Sequence, residues 1–272
     1  VFVAVADSGT GNRVMTSPDG ITWTTRTSAS DNNWRAIVYG NGLFVATAVS
    51  GAATQVMTSP DGITWTTRTT PGTNVLWNNV AYGNGVFVAI STGSTNVMTS
   101  PNGITWTSRS GANNNSWNHL IYGNGLFVAV AYSGTGNRVM TSPDGITWTA
   151  RTSASDNNWI EVAYGNNIFV AVANTGTGGK VMTSPDGITW TQRVTPGDAQ
   201  NWFGVTYGND LFVAVANSGT GNRVMTSPDG ITWTSRTSAA DNSWYGIAYG
   251  NNLFAVISGT GTGNRVMTAP VV

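Results

Sequence analysis

The stretch "VMTSPDGITWT", residues 14–24, recurs along the chain and decides the fold. Its first half returns with Val at positions 14, 56, 97, 139, 181 and 224, and a last copy, "VMTAP", begins at position 266. The steps between copies are 42, 41, 42, 42, 43 and 42 residues. A period in the low forties, built from short strand-like segments, is typical of a β-propeller blade, because one small sheet cannot bury both of its faces alone.

Each repeat contains four segments with strand character. The first is "WRAIVYG" (Trp34 to Gly40), rich in aromatic and β-branched residues and followed by a "GNG" turn signal. The second is the apolar run "LFVATAV" (Leu43 to Val49), the third is "RVMTS" (Arg13 to Ser17), and the fourth is "ITWTTRT" (Ile21 to Thr27). No segment shows a useful helical period. The pattern predicts an all-β fold.

The repeats predict a single β-propeller domain over residues 1–272, with about 42 residues per four-stranded blade. Units start near positions 14, 56, 97, 139, 181 and 224, and a partial unit starts at 266. Seven hairpins between second and third strands indicate seven blades, and six blades with one hairpin displaced is the alternative. We expect roughly 20 residues upstream of Val1 to supply the strands that the first and last blades lack.

The composition restricts the class of partner. Charged residues make up 9% of the chain and the formal net charge is zero, against about 25% charged residues in an average domain. Nucleic acid and anionic lipid are captured by clustered Lys and Arg, so we expect no nucleic-acid partner. No apolar run is long enough for membrane insertion. The absence of Cys excludes thiolate metal sites and leaves the compartment open; an extracellular, cell-surface or virion-surface location is the favoured interpretation.

The 12 tryptophans fall on two positions of the repeat. The fourth-strand set is Trp23, Trp65, Trp106, Trp148, Trp190 and Trp233. The first-strand set is Trp34, Trp77, Trp117, Trp159, Trp202 and Trp244. Because a large aromatic residue repeated this strictly has the same packing role in each blade, we expect both sets in the core between blades. The first-strand set lies beside variable loops and is therefore also a candidate for ligand stacking.

The segment "SPDGITW" resembles the Asp-box of BNR-type propeller repeats, Ser-x-Asp-x-Gly-x-Thr-Trp, which occurs in sialidases and in propellers similar to photosystem II assembly factors. This version is one residue shorter, because Asp19 and Gly20 are adjacent. The resemblance implies a structural turn between the third and fourth strands, remote from any catalytic centre. Local chemistry agrees: Pro18 presets φ, Asp19 can accept backbone hydrogen bonds, and Asn102 can replace the carboxylate in one copy.

No constellation of catalytic residues stands out from the repeat. Glu161 is the only Glu and His119 the only His, and each occupies the third position of a first strand. All Arg residues except Arg35 belong to two repeated series. Acid–base and nucleophilic catalysis both need two unlike groups that converge on one point. The sequence therefore predicts that the protein is not an enzyme and has no catalytic residues, no metal site and no cofactor.

The loops divide into two groups by their variation within the chain. The "YGNG" and "SPDG" turns are nearly constant, whereas the fourth-to-first and second-to-third loops vary, as in "RTSASDNNW" against "RVTPGDAQNW". In a four-stranded blade the two variable sets open on the same side. The residue after the first-strand tryptophan is chemically the most diverse of all: Arg35, Asn78, Asn118, Ile160, Phe203 or Tyr245.

Five of these diverse residues, all except Ile160, are the candidate ligand-binding residues, together with the six first-strand tryptophans beside them. Loops rich in amides and hydroxyls beside aromatic rings suit neutral sugars, through hydrogen bonds and stacking. We therefore predict a binding module for adhesion or for recognition of a neutral glycan or another protein. A structural or protein-interaction scaffold, with no specialised site, is the alternative, and a glycosidase is a less favoured one.

Overall fold

The computed structural model describes residues 1–177, 179–197 and 199–270, and these residues form 26 strands and no helix. The strands assemble into seven sheets, here called blades 1 to 7. Blades 2 to 6 have four strands each, and blades 1 and 7 have three. The prediction of a seven-bladed all-β propeller is confirmed, and the six-blade alternative is excluded.

The strands follow one another blade by blade in chain order. Blade 1 contains β1 (Phe2–Val5), β2 (Val14–Ser17) and β3 (Thr24–Arg26). Blade 2 contains β4 (Trp34–Gly40), β5 (Leu43–Ala48), β6 (Val56–Ser59) and β7 (Thr66–Arg68). Blade 3 contains β8 (Trp77–Gly83), β9 (Val86–Ser91), β10 (Asn96–Ser100) and β11 (Thr107–Ser110). Blade 4 contains β12 (Trp117–Gly123), β13 (Leu126–Ala131), β14 (Val139–Ser142) and β15 (Thr149–Arg151).

The remaining three blades repeat the pattern. Blade 5 contains β16 (Trp159–Gly165), β17 (Ile168–Ala173), β18 (Val181–Ser184) and β19 (Thr191–Arg193). Blade 6 contains β20 (Trp202–Gly208), β21 (Leu211–Ala216), β22 (Val224–Ser227) and β23 (Thr234–Arg236). Blade 7 contains β24 (Trp244–Gly250), β25 (Leu253–Ser258) and β26 (Val266–Pro270).

The chain divides into two compact units. Unit 1 comprises Val1–Ala129 and Met140–Ala150, and unit 2 comprises Val130–Val139 and Arg151–Val272. Blades 1 to 3 therefore belong to unit 1 and blades 5 to 7 to unit 2, and the boundary passes through blade 4. The single domain expected over residues 1–272 stays a prediction.

Neighbouring blades within a unit pack through their first and second strands. β4 contacts β8 and β8 contacts β12 in unit 1, and β16 contacts β20 and β20 contacts β24 in unit 2. The second strands are buried on both sides, as an apolar run predicts; in β9, Val88, Ala89 and Ile90 have no exposed surface. The packing is close enough that a Cβ at Gly83 would overlap the ring of Tyr122 in the next blade.

The fourth strand is shorter than predicted. The sequence suggested a strand over residues 21–27, but β3 covers only Thr24–Arg26. The backbone N–H groups of Ile21 and Thr22 donate to Oδ1 of Asp19, at 2.9 and 2.8 Å. These two residues therefore belong to the turn, since their N–H groups bond the carboxylate rather than a neighbouring strand.

Candidate binding surface

The diverse residue after each first-strand tryptophan occupies a special backbone position. In β4 the register shifts between Trp34 and Ala36, so Arg35 has no partner across the sheet and forms a β-bulge. The same shift places four further residues at bulges: Asn78, Ile160, Phe203 and Tyr245. A bulge bends the strand and re-aims a side chain that regular pairing would hold in line. The variable position thus coincides with the irregular one.

These bulge residues are accessible to different degrees. Arg35 is exposed, and 43% of the surface of Tyr245 is exposed. Half-buried residues fill the other copies of this position: Asn78, Asn118, Ile160 and Phe203. A side chain that retains surface at the end of a strand, next to a loop, is available to a partner.

The first-strand tryptophans occupy a different environment. All six are 0–1% exposed: Trp34, Trp77, Trp117, Trp159, Trp202 and Trp244. Four of them also donate their indole N–H to a backbone carbonyl four residues earlier, as Trp159 does to Ser155 at 3.1 Å. Rings this deeply buried offer no face for stacking, which argues against the expected contact between these indoles and a ligand. The less buried set lies immediately before the fourth strand, where Trp106, Trp190 and Trp233 are 8% exposed.

Hydrogen bonds tie the two variable sets of loops together. Asp31, in the loop from blade 1 to blade 2, accepts a hydrogen bond from the N–H of Gly11 in the second-to-third loop of blade 1, at 2.7 Å. Two residues of the same loop reach forward to blade 2: the Asn32 side chain donates to the Thr54 carbonyl, and the N–H of Asn33 donates to the Ser50 hydroxyl. Both variable sets therefore lie on one side of the blades, as predicted.

We call these fourth-to-first and second-to-third loops the loop face of a unit. The opposite "SPDG" and "YGNG" turns are its turn face. Gly178 and Asp198, in two of the variable loops, lie outside the described residues.

An arginine organises the loop face at three equivalent places. Arg13 donates from Nε to the Gly9 carbonyl at 2.8 Å and lies 3.7 Å from the Asp31 carboxylate. The same arrangement recurs with Arg138 and Asp156, and with Arg223 and Asp241. Sequence reasoning treated these arginines only as a repeated series and missed this role. The signal was present, since the Arg and the Asp three residues before the next tryptophan occur together in these repeats.

The residues that follow the first-strand tryptophans contact each other between neighbouring blades of a unit. In unit 1, the Asn78 side-chain amide donates to the Asn118 carbonyl at 2.8 Å. In unit 2, the rings of Phe203 and Tyr245 meet edge to face, with centroids 5.0 Å apart and planes at 86°. Unit 1 thus presents polar groups at this position and unit 2 presents an aromatic pair.

The residue two positions after the first-strand tryptophan forms hydrogen bonds to the next blade. Asn79 accepts a hydrogen bond from the N–H of Leu120 in the following blade, at 3.3 Å. Glu161 accepts one from the N–H of Val205 in the same way. Burial raises the pKa of Glu161 well above its usual range, and the Val205 hydrogen bond opposes this only in part. Glu161 is therefore neutral over a wider pH range than an ordinary carboxyl group, and serves here as an interblade contact.

The turn face is built from one local network repeated six times. In the copy at residues 59–65, Asp61 accepts hydrogen bonds from the N–H groups of Thr64 and Ile63, each at 2.8 Å, and the Ser59 hydroxyl bonds the same carboxylate. These bonds, with that from Thr64 contributing most, lower the pKa of Asp61 to about 2. Asn102 accepts the equivalent two backbone bonds, at 2.9 and 3.0 Å. The predicted turn between third and fourth strands is confirmed.

The described residues contain no group of three or more His, Asp or Glu side chains that could hold a metal ion. His119 and Glu161 belong to different units. Nor does the described part of the chain include a helix long and apolar enough to cross a membrane.

The repeated blades and the contrast between the two faces define a β-propeller domain of the binding or scaffold type. Within this class, the model of the DUF6242 beta propeller domain matches residues 17–159, which is more than half of the chain. The chain belongs to this family. Curated protein sequences include no match to the chain.

Solved structures share the fold at low sequence identity. Virginiamycin B lyase from Staphylococcus aureus is 13% identical, with a TM-score of 0.72 over 89% of this chain and 85% of the lyase. A streptogramin B lyase is 10% identical, with a TM-score of 0.78 over 90% of this chain and 83% of that chain. YCF48, solved with a bound D1 peptide, is 17% identical, with a TM-score of 0.72 over 100% of this chain and 91% of that one.

These comparisons correct two expectations. The prediction that the protein is not an enzyme is wrong, because the fold is shared with two lyases and is therefore also a fold of enzymes. The resemblance to BNR repeats is upheld only at the level of the propeller, since the matching family is that of the DUF6242 beta propeller domain. At these identities the likeness to solved structures concerns the fold alone.

Proposed function

We propose that this propeller is a binding domain that holds a protein partner on the loop face of a unit. The residues after the first-strand tryptophans are the proposed contacts: Arg35, Asn78 and Asn118 in unit 1, and Ile160, Phe203 and Tyr245 in unit 2. The observation that carries the proposal is the coincidence of the variable position with a β-bulge beside the variable loops. Bulges re-aim side chains, and variation among otherwise near-identical repeats concentrates where function differs from scaffold.

The chemistry of the two faces supports the same assignment. On the turn face, the carboxylates are occupied by the backbone N–H groups of their own turns. Arg35, by contrast, is exposed at its bulge, and Tyr245 presents part of its ring. A guanidinium and an aromatic ring are the groups that most often anchor protein partners. YCF48, with the same fold, binds a peptide, which makes a protein partner a reasonable first choice.

Glycan recognition and adhesion are the competing functions. A sugar site built on these repeats would use the first-strand indoles as stacking platforms, and these indoles are buried. The bulge residues that remain accessible are chemically unlike one another, whereas repeated binding of one neutral sugar would favour like residues in every blade. Both points favour a protein partner.

Selection of peptides tests the proposal directly. A library of short random peptides is selected against the full chain, and the enriched peptides are measured against Arg35→Ala and Tyr245→Ala. We expect at least one of these variants to lose about tenfold in affinity, as for an interface anchor. Asp19→Ala on the turn face and Tyr39→Ala, which removes an exposed tyrosine from the end of a first strand, serve as controls. Loss of binding in the controls but not in the bulge variants would mean that the partner binds the turn face, which would contradict the proposal.

A further inference from the structure

A two-residue turn joins the first and second strands of each blade from blade 2 to blade 7. In blades 2 to 4 the turn is Asn-Gly, and both residues have positive φ, as for Asn84 at 48° and Gly85 at 75°. This is the type I′ geometry that Asn-Gly favours. The three asparagines lie in unit 1: Asn41, Asn84 and Asn124.

The Asn-Gly turns of blades 2 to 4 are open to solvent. The asparagine and the glycine are exposed in all three, and a Cβ added to the glycine would meet no atom within 4 Å. Among the described residues, the three asparagine side chains have no hydrogen-bond partner. Each side-chain amide can therefore rotate toward the backbone nitrogen of the glycine that follows it.

An asparagine in this setting can react with its own backbone. The nitrogen of the following glycine attacks the side-chain carbonyl carbon, a C–N bond forms, and the side-chain amide nitrogen leaves as ammonia. Water then opens the resulting succinimide ring at either carbonyl, which yields aspartate or isoaspartate. Nothing is oxidised or reduced, since the net reaction converts an amide and one water into a carboxylate and ammonium. Glycine favours the attack because it has no side chain in the path and its backbone has the widest range of φ and ψ.

Unit 2 has the same turn with a different second residue. The φ of the first residue is 45° to 49°, against 48° in unit 1. The second residue carries a Cβ beside the nitrogen that would attack, and its backbone has less conformational freedom than glycine. Matched hairpins in one chain therefore differ in their capacity for the reaction. The turns of unit 2 are Asn166-Asn167, Asn209-Asp210 and Asn251-Asn252.

The fourth Asn-Gly pair of the chain, Asn102 and Gly103, is fixed in place. Oδ1 of Asn102 accepts hydrogen bonds from the N–H groups of Ile104 and Thr105, at 2.9 and 3.0 Å. The Ser100 hydroxyl donates to the same oxygen at 3.1 Å. Gly103 is buried, and a Cβ added there would come within 2.8 Å of a neighbouring side chain. To reach the geometry of attack, this amide would have to break its hydrogen bonds in a crowded turn.

The five Asp-Gly pairs of the "SPDG" turns are protected in a second way. Cyclisation of an aspartate proceeds from the neutral carboxyl group, because a carboxylate is a poor electrophile. The hydrogen bonds from Thr64 and Ile63 lower the pKa of Asp61 to about 2, so this group stays ionised well into the acid range. Charge and hydrogen bonding therefore both oppose the reaction in this turn.

From these contrasts we infer that Asn41, Asn84 and Asn124 are sites of spontaneous deamidation in the folded chain. Asn102 and the equivalent asparagines of unit 2 are protected. Each event replaces a neutral amide by a carboxylate on the turn face, and all three together bring the formal net charge from zero to minus three. An isoaspartate product also adds one carbon to the backbone of the turn, so the two-residue geometry is lost. This modification is independent of what the loop face binds.

The experiment follows each site in the full chain, incubated in mildly alkaline buffer, by peptide mass spectrometry and by labelling with an isoaspartyl methyltransferase. We expect the three sites of unit 1 to deamidate at least about tenfold faster than Asn102 and than the turns of unit 2. The same incubation in guanidinium chloride is the control for folding. There Asn102 should react as fast as Asn84, because only the folded turn protects it, whereas Asn209 should stay slow.

Two variants exchange the second residue of the turn. Gly85→Asn, which gives blade 3 the turn sequence of blade 5, should slow the reaction of Asn84 about tenfold and leave that of Asn41 unchanged. Asp210→Gly should make Asn209 reactive. Each of these turn sequences occurs elsewhere in the chain with the same first-residue geometry, so both variants should fold, and melting curves verify this.

Three results would overturn the inference. The first is a folded chain in which Asn102 reacts as fast as the sites of unit 1. The second is an equal rate at Asn84 with and without Gly85→Asn. The third is reaction of the unit 1 sites in guanidinium chloride but not in the folded chain, because the hairpin itself would then protect them.

Discussion

The turn face and the loop face of this propeller are made from the same repeats and yet are stabilised differently. On the turn face, each aspartate bonds the N–H groups two and three residues later, so every turn is complete within its own seven residues. On the loop face, bonds between residues 20 to 22 positions apart join loops of two blades. A self-contained turn can be copied unchanged, whereas a loop that depends on its neighbours can diverge only together with them.

The largest effect should come from the core beneath the loop face. Trp159 is fully buried and donates its indole N–H to Ser155, so Trp159→Ala should cost about 3–5 kcal/mol of unfolding free energy. Trp148, half-buried immediately before the fourth strand and bonded to the Gly145 carbonyl, is the matched control, and its replacement by Ala should cost less unfolding free energy. Urea titrations of both variants measure the difference. An equal cost would mean that the two tryptophan sets pack equivalently.

A smaller effect is expected where two blades approach at the turn face. A Cβ at Gly83 would overlap the Tyr122 ring, so Gly83→Ala should destabilise by about 1–3 kcal/mol through overpacking. At Gly111 the added Cβ would meet Val97 and Met140 side chains at 3.3 and 3.4 Å, which can yield slightly. Gly111→Ala should therefore be milder, as thermal melting can show. Equal melting temperatures for the two glycine variants would show that the contact between the blades can adapt to the added Cβ.

The third effect concerns the turn network itself. Asp61→Ala removes the acceptor for two backbone N–H groups and should lower the melting temperature by a few degrees. Asp61→Asn should retain most of the stability, because Asn102 accepts the same bonds in blade 3. Calorimetry of the two variants compares them. A fall of the same size for both would show that the charge, rather than the acceptor, holds the turn.

The pH dependence of this turn follows from the lowered pKa of Asp61. The hydrogen bonds from Thr64 and Ile63 bring it from 3.8 to about 2. A carboxyl group with a lowered pKa contributes stability above its unfolded pKa and loses it as pH falls through the folded value. The advantage of the native chain over Asp61→Asn should therefore be constant near neutral pH and disappear between about pH 4 and pH 2. An advantage that grows on acidification would contradict the assigned cause.

The smallest effect on stability is expected at the bulge residues. Arg35 is exposed, so Arg35→Ala should change the unfolding free energy by less than about 0.5 kcal/mol. Tyr245 keeps 43% of its surface exposed but meets the Phe203 ring edge to face, so Tyr245→Ala should cost about 0.5–1 kcal/mol. Chemical denaturation of both variants tests this. A loss of more than about 1 kcal/mol would indicate that the position serves packing rather than recognition.

Much of this architecture could be predicted from the sequence, because the same strand and turn signals occur in every repeat. The spacing of "VMTSP" indicated seven blades, and Pro18, Asp19 and Gly20 indicated the turn. The bulge at Arg35 could not be predicted, because it depends on the pairing register of β4 and β5, which the amino-acid composition of the two strands does not determine. The burial of Trp34 was expected from its strict repetition, but the sequence left ligand stacking open as well, because the neighbouring loops vary.

The central claim, that partners bind the loop face and the turn face is scaffold, is tested most directly by cross-linking. A peptide selected against the full chain is remade with a photoreactive group, irradiated in the complex, and the modified residues are identified by mass spectrometry. The account predicts modification at the bulge residues and in the loops around them, with the exposed Arg35 and Tyr245 foremost. Modification concentrated in the "SPDG" and "YGNG" turns would contradict it.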